Sequence, residues 1–318
     1  MLSELNYNVD YWKGVASSSR KDPNITSNDV KNYKIALPSV EEQTAIAKAL
    51  SDVDALLAEL EKLIGKKQAI KTATMQQLLT GKTRLPQFAT HAKGENQGQS
   101  KGTKSSELGE RPEDWDEIEL GEVFNFKNGL NKEKEFFGYG TPIVNYMDVY
   151  NSSGITVKEV NGLVNVTPLE RKNYSAKKGD VFFTRTSETT DEIGLASVLL
   201  DSIKDAVFSG FVLRARQTKQ LLENNYMKYC FRDSRVRKQI QSTASYTTRA
   251  LTNGRLLSKV MLLVPPKEEQ IAIATILTDM DNEIQTLHQR LAKTRQIKQG
   301  MMQELLTGRT RLPFDKES

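Results

Sequence analysis

The sequence predicts an α+β protein in which one domain of mixed strands and helices is combined with two long helices. Two observations carry this prediction. A stretch of 49 residues occurs twice along the chain, and each copy has apolar residues at helical spacing. Between the copies, short apolar runs are separated by Gly and Asn residues, as expected for strands joined by turns.

Composition sets the bounds on function. The chain has 318 residues, a net charge of +5 and a sequence pI near 9.0, which permits a polyanionic partner without requiring one. A single cysteine, Cys230, excludes an intramolecular disulfide framework. No apolar run reaches the length of a membrane span or matches a signal peptide, so we expect a cytoplasmic protein without a membrane partner.

The repeated stretch runs from Pro38 to Pro86 and again from Pro265 to Pro313. The copies align without a gap at an offset of 227 residues, so that Glu41 matches Glu268, and 24 of the 49 positions are identical. Repetition at a fixed offset is the signature of one structural unit that has been copied.

Each copy predicts a long helix with a coiled-coil seam, because apolar residues alternate at spacings of four and three. The predicted seam residues are Ile46, Leu50, Val53, Leu57, Leu60, Ile64, Ile273, Leu277, Met280, Ile284, Leu287 and Leu291. Near-identical seams joined by a compact domain can fold back on each other, so the two helices are predicted to pair as an antiparallel coiled coil. Polar residues such as Lys67 and Lys298 predict that pairing in the last third of each helix is looser or is made with another subunit.

Between the helices, β-like runs occur at 142–144, 179–183, 195–200 and 211–213, and residues 225–241 predict one amphipathic helix. Arginine and lysine line part of that helix, which leaves open a solvated face or a phosphate-contacting face. Residues 87–111 are rich in Gly, Ser, Lys and Gln and predict a flexible linker, because they contain too few apolar residues to form a core.

Both copies contain Glu-Glu-Gln, then Ala-Ile-Ala, and close with Leu-Leu-Thr-Gly, one basic residue and Thr-Arg-Leu-Pro. These motifs resemble the conserved spacer regions of type I restriction-modification specificity subunits. Pro112, Trp115, Leu120 and Gly121 resemble the opening of a target-recognition domain in that family. The resemblance implies five segments: 1–37, the tail of an incomplete target-recognition domain; 38–86, the first spacer helix; 87–111, the linker; 112–265, one complete target-recognition domain; and 266–313, the second spacer helix.

The resemblance also implies a role and partners. The chain would be a non-catalytic subunit that binds double-stranded DNA and chooses the site for type I methyltransferase and restriction subunits. It would need no cofactor itself, because S-adenosylmethionine and ATP would be held by those partner subunits. The short first segment leaves open whether the chain reads one half-site or two, and whether it pairs with itself or with a second half subunit.

The candidate DNA-binding residues lie in polar loops next to strands. Hydroxyl and guanidinium groups are side chains that reach base edges and phosphates. Two loops are the main candidates: Thr184, Arg185, Thr186 and Ser187 in the first, and Thr247, Thr248, Arg249 and Arg255 in the second. Lys127 and Asn128 are weaker candidates, and Arg185 is the strongest. For each loop the alternative is a surface turn whose hydroxyls cap neighbouring backbone groups.

Enzymatic readings find little support in the sequence. Gly81-Lys82-Thr83 resembles the end of a phosphate-binding loop, but the first glycine of that motif is replaced by Gln76. The two histidines, His91 and His288, lie far apart and in no metal-ligand spacing, so no metal site and no catalytic residue are predicted. A coiled-coil scaffold protein without nucleic-acid binding remains the alternative function.

Overall fold

The computed structural model describes residues 9–18, 25–34, 37–246 and 249–312. The chain divides into two compact units, one formed by residues 1–69 with 281–318 and the other by residues 70–280. Two long helices, α3 (Val40–Leu78) and α11 (Lys267–Leu306), contribute to both units. Within the described part of the chain, no helix is long and apolar enough to span a membrane.

The first unit contains an antiparallel pair formed by residues 40–69 of α3 and residues 281–306 of α11, together with two short helices, α1 (Val9–Ser18) and α2 (Ser27–Asn32). Three ion pairs define the direction of the long helices, since residue numbers rise in one as they fall in the other. They join Asp54 to Lys298 at 2.6 Å, Glu61 to Arg295 at 2.6 Å and Lys67 to Glu283 at 2.7 Å. The α+β class and the antiparallel helices are thus as predicted.

Apolar residues fill this pair in two clusters. Leu60, Ile64 and Leu291 form one, with Leu56, Leu57 and Leu287 packed at its margin. Ile46, Leu50 and Leu305 form the other, with Met301, Met302, Leu306 and Leu312 against it. The predicted loosening toward the helix ends is wrong here, because antiparallel pairing places Met301 and Leu305 of α11 against Ile46 and Leu50 of α3. Val53 and Ile284 are half-buried.

Three predicted seam residues lie elsewhere, which corrects their assignment. Ile273 and Leu277 are buried in the main core of the second unit, and Met280 packs against that core. They share it with Leu78 and Leu79 from the end of the first repeat and with Trp115. The heptad spacing predicts the apolar face of α11 correctly but does not identify the element that covers it.

We expect Leu60→Ala to destabilise the helix pair by about 2 kcal/mol. The substitution leaves a cavity beside Ile64 and Leu291, where the leucine side chain was packed. Leu63→Ala is the matched control, since Leu63 lies on the same helix and is 38% exposed. Thermal melts followed by helical circular dichroism would compare the two variants. Equal melting temperatures for both would contradict a packed seam at Leu60.

The second unit is built on a five-stranded sheet whose order is β4-β12-β8-β10-β6. Its strands are β4 (Phe124–Asn128), β12 (Val212–Gln217), β8 (Val181–Thr184), β10 (Ala196–Leu199) and β6 (Gly154–Ile155). Only the β10–β6 pair in this sheet is parallel. Each of the four predicted β-like runs overlaps a strand, because buried apolar runs bounded by turn residues are a strong local signal.

Smaller sheets complete this unit. One contains β11 (Val207–Phe208), β5 (Phe137–Val144) and β7 (Gly162–Val164), and another contains β13 (Ser245–Tyr246), β14 (Ala250–Leu251) and β9 (Thr186–Ser187). β15 (Met261–Val264) pairs with β3 (Asp116–Glu119). The helices of this unit, apart from its parts of α3 and α11, are short: α4 (Pro86–Ala89), α5 (Leu120–Val123), α6 (Tyr146–Asn151), α7 (Pro168–Asn173), α8 (Asn224–Cys230), α9 (Ser234–Thr243) and α10 (Gly254–Leu257).

Two sequence predictions need correction in this unit. The predicted linker 87–111 contains a hairpin of β1 (Thr103–Ser106) and β2 (Gly109–Pro112), with Gly109 at positive φ in the turn. The single helix predicted over 225–241 is split into α8 and α9, because the Asp233 carboxylate accepts a hydrogen bond from the Arg235 backbone N–H and starts a new helix.

A charged cluster joins the end of the first repeat to the start of the second. We call Arg84, Lys101, Asp114, Trp115 and Glu269 the Arg84 cluster. Arg84 contacts Asp114 at 2.7 Å and Glu269 at 2.6 Å, and the Trp115 indole N–H donates to Glu269 at 2.9 Å. Burial alone would lower the pKa of Arg84, but hydrogen bonds from its guanidinium to Glu269 and Asp114 raise the pKa above its ordinary value.

The equivalent pair occurs in the first unit. Arg311 and Glu42 lie at the repeat positions that match Arg84 and Glu269, and their side chains approach to 2.6 Å. Here the arginine side chain is 68% exposed, against 10% for Arg84. The copied sequence therefore makes the same contact twice, once with an exposed arginine over a buried Glu42 and once with both partners enclosed by the mixed domain.

We expect Gly81→Ala to be more destabilising than Gly308→Ala. Both glycines have positive φ, so any alanine there carries a strain of about 1 kcal/mol. At Gly81 a Cβ atom would also lie 2.5 Å from the Pro112 ring, whereas at Gly308 no described atom lies within 4 Å. The overpacking adds about 1 kcal/mol or more. Chemical denaturation of both variants measures the difference, and equal midpoints would contradict it.

Candidate nucleic-acid interface

The two polar loops predicted from the sequence meet in one small sheet. β9 pairs antiparallel with β14, so that Ser187 lies opposite Ala250 and Thr186 opposite Leu251. The Thr252 N–H donates to the Arg185 carbonyl at 3.0 Å and continues the ladder. These contacts join the two loops although they are distant in sequence. Arg185 directly precedes β9 and Arg249 directly precedes β14, so the two arginines lie at opposite ends of this antiparallel pair.

A surface cleft of about 360 Å³ lies beside this sheet, and we call it the loop cleft. It is lined by Tyr146, Met147, Tyr150, Thr186, Ser187, Glu188, Glu192, Phe211 and Arg249. The lining combines a guanidinium group, carboxylates, hydroxyls and apolar side chains. Such a mixture offers donors, acceptors and apolar contact to a polar, planar ligand.

Glu192 organises one wall of the loop cleft. Its carboxylate accepts hydrogen bonds from the Tyr150 hydroxyl at 2.7 Å and from the Ser187 hydroxyl at 3.0 Å. Those bonds lower the pKa of Glu192 below its ordinary value, so the carboxylate is ionised at neutral pH. The Tyr146 and Tyr150 rings stack with centroids 5.9 Å apart. The wall is therefore hydrogen-bonded, aromatic and negatively charged.

The structure separates the residues of the first predicted loop into two groups. Arg185 and Thr186 are half-buried, and Thr186 lines the loop cleft. Thr184 and Ser187 are buried, and their hydroxyls donate to the Glu192 carbonyl and the Glu192 carboxylate. Both hydroxyls stabilise the loop itself, so these two residues support the loop cleft, and their contact with DNA stays a prediction.

The other candidates fall in different places. Arg249 is exposed at the loop cleft, while Arg255 is exposed on α10 outside the cleft lining. Thr247 and Thr248 lie outside the described residues. Lys127 and Asn128 lie on β4, and the Lys127 ammonium sits 5.5 Å from the Tyr174 ring centroid. The structure therefore does not bring these two β4 residues to the loop cleft.

The basic residues of α8 and α9 mostly serve the domain interior. Arg232 and Arg237 donate to backbone carbonyls of Ala196 and Gly194, and Arg235 pairs with Asp233. Burial lowers the pKa of Arg237 to about 10, which leaves it charged at neutral pH. Arg232, Arg235 and Arg237 are half-buried, whereas Lys238 is exposed. A phosphate-contacting face formed by the arginines is therefore not what the structure shows.

Sequence reasoning offers Tyr146, with Asn145, as a weaker candidate, but it missed Met147, Tyr150 and Phe211. The side chains of Met147 and Phe211 are 53% and 67% exposed, which is unusual for large apolar residues. Their only sequence signal is position, since Phe211 follows Gly210 and Met147 lies three residues after the end of β5. The stretch Tyr146–Asn151 forms α6, whose start is closed by a capping box between Asn145 and Asp148.

Comparison with known proteins decides the family. The family model for the type I restriction modification DNA specificity domain matches residues 5–72 and 112–296. The chain belongs to this family. The specificity subunit of the type I restriction enzyme MjaVIII from Methanocaldococcus jannaschii is 25% identical over 291 residues, covering 91% of this chain and 65% of the relative. The putative MjaX specificity subunit of that organism is 27% identical over 316 residues, with coverage of 95% and 65%.

Solved structures in the same family share the fold. A chain from a structure concerned with the assembly and conformational transition of the type I R-M system has a TM-score of 0.59 at 18% identity, with 96% of this chain and 69% of that chain covered. The type I restriction-modification S subunit from M. genitalium has a TM-score of 0.53 at 17% identity, with coverage of 96% and 72%. The chain thus spans about 65% of the length of the two curated specificity subunits described above.

Proposed function

We propose that this member of the specificity-domain family recognises a particular sequence in double-stranded DNA. One observation carries the proposal: the loops holding Arg185 and Arg249 are joined by the β9–β14 pairing beside a single cleft. Arginine side chains are the commonest readers of guanine in the major groove. We call the two paired loops that hold Arg185 and Arg249 the loop edge. Their pairing can hold the two side chains at a fixed separation, as base readout requires.

The charges of the loop cleft favour base edges over phosphates. Glu188 and the ionised Glu192 would repel a phosphate group placed in the cleft, whereas carboxylates accept hydrogen bonds from the amino group of cytosine. Arg249 on the same cleft can donate hydrogen bonds to the acceptor atoms of guanine. A site with both kinds of group is suited to reading a base pair rather than to tracking the backbone.

We further propose that the chain acts as the specificity subunit of a cytoplasmic type I restriction-modification complex. It would choose the site while methyltransferase subunits, holding S-adenosylmethionine, and restriction subunits, using ATP, carry out the chemistry. The family membership and the specificity-subunit relatives support this role. The chain itself would hold no cofactor and no metal.

A second copy of this chain, or another half subunit, is the proposed partner for reading a second half-site. One observation supports it: the Arg311–Glu42 contact repeats the Arg84–Glu269 contact, so the two repeats offer the same local contact twice. Light scattering with and without the methyltransferase subunit tests the stoichiometry. One copy of this chain per complex in both measurements would reject the pairing.

Duplex selection tests the recognition role. The chain, purified with its methyltransferase subunit, would be incubated with a randomised duplex library, and the enriched sequence titrated against a scrambled duplex at several salt concentrations. We expect the enriched duplex to bind at least about 1000-fold more tightly, which is the lower range for specific sites. Equal affinities would instead favour the alternative, a coiled-coil scaffold without a nucleic-acid role.

A further inference from the structure

Phe211 is a large aromatic side chain held in the open by a firmly braced turn. It lies in the turn between β11 and β12, and its side chain is 67% exposed. The preceding Gly210 donates its N–H to the Leu130 carbonyl at 2.7 Å, and a Cβ atom at Gly210 would lie 1.9 Å from the Asn131 side-chain oxygen. The turn is therefore hydrogen-bonded and closely packed at residue 210, directly before Phe211.

The same turn is bonded to the loop that carries Arg185. The Arg185 N–H donates to the Phe211 carbonyl at 3.3 Å, and the Phe211 N–H is hydrogen-bonded to the Ser209 hydroxyl at 3.3 Å. Phe211 lines the loop cleft together with Met147 and Arg249. An exposed apolar group thus shares the loop cleft with Arg249, and its backbone is hydrogen-bonded to that of Arg185.

We propose that Phe211 is a specificity-determining residue that contacts the 5-methyl group of a thymine. This inference rests on the proposed DNA recognition and adds the base feature that is read. Arginines read hydrogen-bonding edges, but the methyl group is the apolar feature that the major groove offers, and phenylalanine is among the side chains that contact it. The exposed Phe211 ring is in contact with water in the free protein. Burying it against a methyl group would remove apolar surface from water, which is favourable.

Selection on the randomised library, with the methyltransferase subunit present, tests the proposal in the wild type, Phe211→Ala and Leu169→Ala. Leu169 is the matched control, because it is 68% exposed on α7 and does not line the loop cleft. We expect Phe211→Ala to lose the requirement for thymine at one position and to keep the other preferences. Leu169→Ala should reproduce the wild-type profile, and thermal melts should show both variants folded.

A uracil substitution then isolates the methyl group. Replacing that thymine by uracil should weaken wild-type binding about fourfold, the effect of one apolar carbon, and should leave Phe211→Ala binding unchanged. An unchanged selection profile for Phe211→Ala overturns the inference, as does a changed position without thymine in either strand, or equal uracil sensitivity in both proteins. Absence of any sequence preference in the wild type would instead reject the proposed function itself.

Discussion

Arg84→Met should destabilise the second unit by about 3–5 kcal/mol, which is the usual cost of removing one partner of a buried ion pair. Glu269 is only 1% exposed at its side chain, and Arg84 donates to both of its carboxylate oxygens. After the substitution, the Trp115 indole would be the remaining donor of the Arg84 cluster to this carboxylate. Urea denaturation followed by tryptophan fluorescence would measure the loss.

Arg311→Met is the internal control, because Arg311 occupies the same position in the second repeat. Its side chain is largely exposed, so solvent can replace it at Glu42 and the loss should be much smaller. Similar denaturation midpoints for the two variants would show that burial does not govern these contacts.

Acid should weaken the Arg84 cluster in a defined range. Burial would raise the pKa of Asp114, but hydrogen bonds from Arg84 and Lys101 lower it below its ordinary value of 3.8. A lowered folded-state pKa stabilises the fold above the unfolded pKa, and this stabilisation is lost as pH falls through the folded value. Stability from Asp114 is therefore complete at neutral pH, begins to fall near the unfolded pKa of about 4 and is lost as the pH drops through the lower folded-state pKa.

Removing both guanidinium groups of the loop edge should abolish most sequence discrimination. Each bidentate contact to a base contributes about 1–3 kcal/mol. Arg185→Ala combined with Arg249→Ala should therefore reduce the difference in binding free energy between cognate and scrambled duplexes by about 2–6 kcal/mol. Each single variant should relax preference at one base position. Titrations with the methyltransferase subunit present provide the measurement.

Two control variants separate readout from general attraction. Arg255→Ala removes an exposed arginine that does not line the loop cleft, so discrimination should persist. Lys238→Ala should weaken all duplexes alike and reduce the salt dependence, as expected for a phosphate contact. A full cognate preference in the Arg185 and Arg249 double variant would reject the loop edge as the reading surface.

The sequence predicts the long helices well because duplication and heptad spacing are extended signals. It does not predict the β9–β14 pairing, because strands of two residues carry no periodicity and lie far apart in the chain. It also assigns Ile273 and Leu277 to the helix seam, since an apolar stripe fits any partner that covers it. Phe211 is invisible to pattern analysis, because its exposure follows from a turn that only tertiary contacts fix.

The β9–β14 pairing determines where related chains could exchange segments without separating the two loops. Ser187 and Ala250 are adjacent in space, so a recombination crossover between their codons would join half of the loop edge from one parent to half from another. The two repeats, at 38–86 and 265–313, lie outside this region. Exchange of the whole stretch between them would therefore transfer the mixed domain with both loops intact, whereas an exchange within that stretch would separate the loops.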